Sequence, residues 1–90
     1  MDDYLLYAVE AQAVEDMALL HEQAARLHDQ AARIQDATTR DMTARGEAAG
    51  AVLSVELAAR ARDLAAVERA RADQVWARHA EMIAGVGSAS

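Results

Sequence analysis

The sequence lacks cysteine, proline, phenylalanine, asparagine and lysine, and it has only four glycines in 90 residues. Without cysteine, the chain has no disulfide and no thiol for catalysis or metal binding. Without proline and with few glycines, little interrupts a helix. Alanine, the strongest helix former, supplies 24 residues. The composition therefore predicts one small all-α domain over residues 1–90.

Long apolar runs and clustered positive charge are also missing. No stretch approaches the roughly 20 apolar residues that span a bilayer, so we expect no membrane span. The net charge is −6, and residues 1–25 hold six acids and no arginine, which argues against a nucleic-acid partner. A signal peptide begins with basic residues. We therefore expect a cytoplasmic protein or one secreted without a cleaved signal peptide.

The breaks in the sequence predict two helices, over about 3–44 and 48–84, with a frayed tail at 85–90. Gly46 fits the position after a helix end, and Gly50 follows closely. A short connection makes consecutive helices antiparallel neighbours, which predicts a helical hairpin. Alanine buries little surface, so a single hairpin has a thin core. We expect the hairpin to associate with itself or with a helical partner, as a four-helix bundle.

The first helix contains one seven-residue word three times, LHEQAAR, LHDQAAR and IQDATTR, between Leu20 and Arg40. This period is typical of a helix that keeps one face against another helix. Acid-to-arginine pairs four residues apart are expected to support the helix, starting at Glu22, Asp29 and Asp36. The predicted seam of the first helix is Leu6, Val9, Ala13, Met17, Leu20, Ala24, Leu27, Ala31 and Ile34.

The second helix shows a different pattern, with apolar residues in steps of four, four and three. Its predicted seam is Leu53, Leu57, Ala61, Leu64, Glu68, Ala72, Val75, His79, Ile83 and Val86. An eleven-residue period gives a nearly straight or slightly right-handed path. Apolar residues off that seam, such as Val52, Val55 and Val67, favour burial against something beyond the first helix.

The predicted partner interface combines the strongest positions of both helices. Trp76 is either packed in the core or exposed as an anchor for a partner, since tryptophan is enriched at binding hot spots. The interface residues are Leu20, Ala24, Leu27, Ala31, Ile34, Leu57, Leu64, Val75 and Trp76.

No catalytic, cofactor or metal motif is present. His21 and His28 lie seven residues apart, about 10.5 Å along a helix, which is too far to share one metal ion. They are expected to flank the seam as polar positions. Glu68 and His79 fall on the predicted seam, where buried polar residues often fix the register of helix pairing.

The segment Ala44-Arg45-Gly46-Glu47-Ala48-Ala49-Gly50 lies at the middle of the chain. A hairpin of this size with such a turn resembles the small WxG-type proteins of type VII secretion. Ala44 stands where that family has its turn tryptophan, and the C-terminal Tyr-x-x-x-Asp/Glu signal is absent. The resemblance implies a hairpin that dimerises into a four-helix bundle and is secreted folded.

The sequence therefore predicts a non-enzymatic helical protein–protein interaction module, acting as a homo- or hetero-oligomer. One alternative is an intracellular helical adaptor, a secretion chaperone or a phage-type acidic inhibitor, suggested by the acidic first 25 residues. A second alternative is a metal-binding bundle that uses His21, His28 and His79.

Overall fold

The computed structural model describes residues 2–89, and the side chains of residues 3–85. Helix α1 comprises Asp2–Ala44 and helix α2 comprises Ala48–Ala89. The two helices pack against each other along their length, which confirms the predicted all-α helical hairpin. In residues 2–89, neither helix contains a stretch long and apolar enough to cross a membrane.

The turn between the helices is built around Gly46, which has a φ of +74°. The Gly46 amide donates to the Thr43 carbonyl at 3.1 Å, and the Glu47 amide donates to the Met42 carbonyl at 2.8 Å. This pair of bonds closes the carbonyl end of α1 around a left-handed residue. The Glu47 carbonyl then accepts the first bond of α2, from the Ala51 amide at 3.0 Å. The reversal thus needs only three residues.

Helix α2 continues to Ala89, beyond the predicted end near Ala84. The predicted frayed tail at 85–90 is therefore helical through Ala89, and Ser90 lies outside the described residues. Gly85 and Gly87 lie within this last part of the helix and do not end it. Glycine weakens a helix by only about 1 kcal/mol, and it stops one mainly where it adopts a positive φ. In residues 2–89, only Gly46 has one.

The molecule is a rod, with Cα extents of 67 × 17 × 12 Å. Its radius of gyration is 20.1 Å, whereas a compact domain of this length has about 12 Å. Two helices alone leave no third layer, so each helix is covered only along the strip that faces the other.

The strip of α1 that faces α2 is a column of small and polar residues. Its most buried members are Val14, Ala18, Ala25 and Ala32. The half-buried His21 and His28 lie between these alanines, so the strip advances in alternating steps of three and four residues. The predicted seam of α1 is wrong as the hairpin contact, because its large residues are exposed. The helix is rotated by one residue from the prediction, so that alanines face inward, while Leu20 and Leu27, each one position before a half-buried histidine, face outward.

The strip of α2 has the same seven-residue spacing, so the predicted eleven-residue period is also wrong. Its buried members are Ser54, Ala58, Ala61, Ala65 and Ala72. Among the predicted seam residues, Ala61, Glu68, Ala72, Val75 and His79 do lie in or beside this strip. Leu53, Leu57, Leu64 and Ile83 are exposed, and the Val86 side chain lies outside the described residues.

Small residues on both helices let the two backbones approach closely. A Cβ placed on Gly50 would overlap the Met42 sulfur, so the Met42 side chain packs directly over the first turn of α2. In the described residues, no large side chain is fully buried. We call this contact, formed by Ala18, Ala25, Ala32, Ala58, Ala61, Ala65 and Ala72, the alanine seam.

Candidate interaction surfaces

One side of the alanine seam is lined by charged and polar pairs that join the two helices. Asp36 pairs with Arg62, and Asp29 pairs with Arg69. Two helical turns further from the loop, the Trp76 indole Nε1 donates to Glu22 Oε1 at 2.8 Å. We call this side, formed by Glu22, Asp29, Asp36, Arg62, Arg69 and Trp76, the ionic edge.

The ionic edge follows from the seven-residue repeat of both helices. Glu22, Asp29 and Asp36 are seven residues apart on α1, and their partners are seven apart on α2. The sequence predicted that these acids pair with arginines four residues later on α1. In the structure Asp29 and Asp36 pair with arginines of α2 instead. A column of acids facing a column of cationic residues would have indicated which sides of the helices meet.

Trp76 is half-buried on the ionic edge, so it is neither a core residue nor a fully exposed anchor. Its ring also packs edge-to-face on His79, with ring centroids 5.5 Å apart. Because its N–H is bonded to Glu22, the indole is held in one orientation along the edge. Trp76 therefore fixes how far α2 has turned against α1.

Polar residues interrupt the alanine seam at two levels. His21 Nδ1 lies 2.6 Å from Glu68 Oε2, and Arg71 donates to the other carboxylate oxygen of Glu68 at 3.2 Å. The hydrogen bond from His21 lowers the pKa of Glu68 below its ordinary 4.5, against the opposing effect of burial, and the charges of His21 and Arg71 lower it further. This cross-helix bond fits the predicted register role of Glu68.

The second polar level is near the turn. The Thr39 and Ser54 hydroxyls are 2.7 Å apart, and each also lies within hydrogen-bonding distance of a carbonyl on its own helix. Ser54 is buried, and within the described side chains no buried nitrogen or oxygen lacks a partner. A shift of one helix by one turn would break both polar levels at once, so they define the register.

The remaining histidines are spread along the rod. His79 Nε2 lies 3.9 Å from Glu15 Oε2, which is the outer limit of an ion pair. His28 is half-buried beside the seam. Across the described part of the chain, no three histidine or acidic side chains converge on a position that could hold a metal ion.

The other side of the alanine seam is apolar. The exposed fractions are 65% for Leu20, 59% for Leu27, 58% for Ile34, 41% for Leu57 and 45% for Leu64. On α1 these residues and the intervening alanines leave the seam on the side away from Glu22 and Asp29. We call this surface, formed by Leu20, Ala24, Leu27, Ala31, Ile34, Leu57 and Leu64, the leucine face.

The leucine face contains seven of the nine residues that the sequence predicted for a partner interface. Val75 lies elsewhere, half-buried beside the alanine seam, and Trp76 lies on the ionic edge. The structure thus separates the predicted set into one continuous face and two residues that join the helices of the hairpin. The predicted set did not include His21, Glu22 and Asp29, whose partners lie on α2.

The concave regions of the described surface are open grooves. One lies on the ionic edge and is lined by Glu22, Ala25, Arg26, Arg69, Ala72 and Asp73. Comparison of the chain with protein-family models finds no matching family, and comparisons with curated proteins and with solved structures find no match. A functional proposal therefore rests on the hairpin itself, with the ionic edge on one side of the alanine seam and the leucine face on the other.

Proposed function

We propose that this protein is a non-enzymatic helical interaction module that binds another helical surface through its leucine face. The observation that carries the proposal is an inversion of the usual burial order. Alanine fills the contact between the helices, whereas Leu20, Leu27 and Ile34 stay more than half exposed in a continuous row. Contiguous apolar surface of this kind marks interaction sites in folded proteins.

The exposed area supports the same proposal. The chain exposes 6522 Å², whereas a compact monomer of 9.7 kDa exposes about 5,100 Å². The difference, on the order of 1,400 Å², exceeds the roughly 800 Å² that each partner buries in a standard interface. A second pair of helices laid on the leucine face would form a four-helix bundle with an aliphatic core.

A more specific form of the proposal is a hairpin of the WxG type, secreted folded as a dimer. Two helices of 43 and 42 residues, reversed around Gly46, have the proportions that the resemblance implies. Trp76 bonds to Glu22 far from the turn, so the turn itself is made without a tryptophan. Deleting the type VII system of the source cell tests this form, because the protein should then disappear from the medium. Unchanged export would contradict it.

The experiment for the module as such compares two neighbouring leucines. A photo-crosslinking amino acid is placed at Leu20, on the leucine face, or at Leu19, which points about 100° away around the helix. Irradiation in the source cells should give a discrete adduct from position 20 and little from position 19, and mass spectrometry identifies it. Equal yields from both positions, or none from either, would refute a specific docking face.

A further inference from the structure

The row of apolar residues on α1 is nearly symmetric about its centre. Leu20 and Ile34 lie seven residues before and after Leu27, while Ala24 and Ala31 lie three residues before and four after it. Read in either direction, the row alternates a large side chain with alanine. A symmetric row of this kind matches itself when one copy is turned end over end.

We propose that a second copy of this chain covers the leucine face, with the two α1 helices antiparallel and a two-fold axis at Leu27. The inference rests on the proposed function and names its partner and its geometry. The axis sets Leu27 beside Leu27 of the second copy. It sets Leu20 beside Ile34 of the second copy, and the same pair recurs on the other side of the axis.

The alanines of the row make this pairing close. Ala24 comes within one residue, about 1.5 Å along the axis, of the level of Ala31 of the second copy, so small residues lie near each other where the large ones leave space. The hairpin already packs α1 against α2 in this way through Ala18, Ala25 and Ala32. The same helix would thus use two neighbouring alanine columns, one inside the chain and one between chains. Leu57 and Leu64 of α2 widen the surface beside it.

Charges beyond the two ends of the row agree with the antiparallel direction. Glu10 precedes Leu27 by 17 residues, and Arg45 follows it by 18. Glu10 has no ion-pair partner among the described residues. Arg45 pairs with Asp41 at 2.6 Å through one nitrogen, and a guanidinium group has five N–H donors in all, so it can bind a second carboxylate. Turned about Leu27, Glu10 of each copy comes to the level of Arg45 of the other. A parallel pairing of α1 with α1 would set Glu10 beside Glu10.

The available area also suits a second copy. Each chain exposes on the order of 1,400 Å² more than a compact monomer of its mass, while a two-fold interface of standard size needs about 800 Å² from each. The area exposed along the rod is therefore large enough to accommodate an interface of that size.

The orientation is tested by cross-linking, which the absence of cysteine makes clean. Leu27→Cys and the neighbouring Arg26→Cys are each treated with a short bismaleimide. The proposal expects an efficient product of twice the chain mass for Leu27→Cys and little for Arg26→Cys. If a dimer is present but Leu27→Cys reacts only when mixed with Leu64→Cys, α1 pairs with α2 of the second copy and the proposed axis is wrong.

The face is tested by sedimentation of Leu20→Glu against Leu19→Glu, with far-UV circular dichroism to check that both stay helical. Leu20→Glu should raise the dimer dissociation constant by roughly 100-fold or more, because each interface loses two leucines and gains two carboxylates. Leu19→Glu should leave it nearly unchanged. The proposed dimer is overturned if the wild-type chain is still monomeric in sedimentation when its concentration is raised 100-fold. If position 20 still cross-links to another protein in cells, the interaction function stands and only the identity of the partner fails.

Discussion

Replacing Ala65 by leucine tests the central feature of the fold, which is that the helices meet through alanine. Ala65 is 0% exposed and sits in the middle of α2, as Ala18 does on α1. A leucine there has no space unless the helices separate. Its neighbour Ala66 is exposed, so Ala66→Leu makes the same chemical change outside the seam.

The size of the effect follows from the cost of overpacking. Inserting methylene groups into a filled contact costs about 1–3 kcal/mol. For a domain of 60–100 residues, 1 kcal/mol lowers the melting temperature by about 4–8 °C. Ala65→Leu should therefore lower the melting temperature by about 4–24 °C. Ala66→Leu should change stability by no more than about 0.5 kcal/mol, which is usual for exposed positions.

The assay is thermal and urea unfolding followed by far-UV circular dichroism at several protein concentrations, so that self-association does not obscure the comparison. The reasoning is refuted if Ala65→Leu is as stable as Ala66→Leu, or more stable than the original chain. That outcome would mean that the leucines, and not the alanines, face each other inside the hairpin.

Three further predictions concern the turn, the seam and the ionic edge. Gly46→Ala should lower the free energy of unfolding in urea by about 1 kcal/mol, and the cost is purely conformational because no atom lies within 4 Å of the added Cβ; an unchanged midpoint would contradict the φ of +74°. Glu68 has a pKa lowered by His21, so its contribution is complete above pH 4.5 and is lost as the pH falls through the lower folded-state value. Glu68→Gln should therefore weaken the loss of stability in acid, measured as melting temperature between pH 7 and pH 2, and an identical acid limb would rule this contribution out. Trp76→Phe removes the hydrogen bond to Glu22 and should cost about 0.5–1.5 kcal/mol; the double variant with Glu22→Ala, which removes the acceptor, should lose less stability than the two single variants together, and strict additivity would show that the bond is not formed.

The hairpin could be predicted because its determinants are local. The absence of proline allows two long helices, and Gly46 is the left-handed residue that ends the first. The rotation of the helices could not be predicted in the same way. The leucine row and the alanine column of α1 have the same period and lie one residue apart, for example Ala24 beside Ala25. A single helix gives no information on which column its partner covers, and hydrophobicity favours the leucines.

The alanine column becomes the contact because α2 offers a matching one. Ser54, Ala58, Ala61 and Ala65 leave a groove that only small side chains enter closely. The cross-helix pairs Asp29–Arg69 and Asp36–Arg62 form on the side of that groove. These are properties of two surfaces together, and neither is visible in one helix. Most of the predicted interface residues share one face because the apolar pattern of a single helix can be read from its own sequence, whereas the pairing of two helices cannot.

Because the interior is made of alanine, most of the side-chain entropy is lost when the leucine row is covered and not when the hairpin closes. Alanine has no rotamers to lose, so closing the hairpin restricts little beyond the backbone. Leu20, Leu27 and Ile34 are more than half exposed, and a leucine or isoleucine gives up about 0.5–1 kcal/mol of rotamer freedom only when it is covered. We therefore expect the hairpin to close with little loss of side-chain entropy, while the exposed aliphatic side chains of this row keep their rotamer freedom. Methyl order parameters should be low along this row in the isolated hairpin, and their rise would time the moment at which the row is covered.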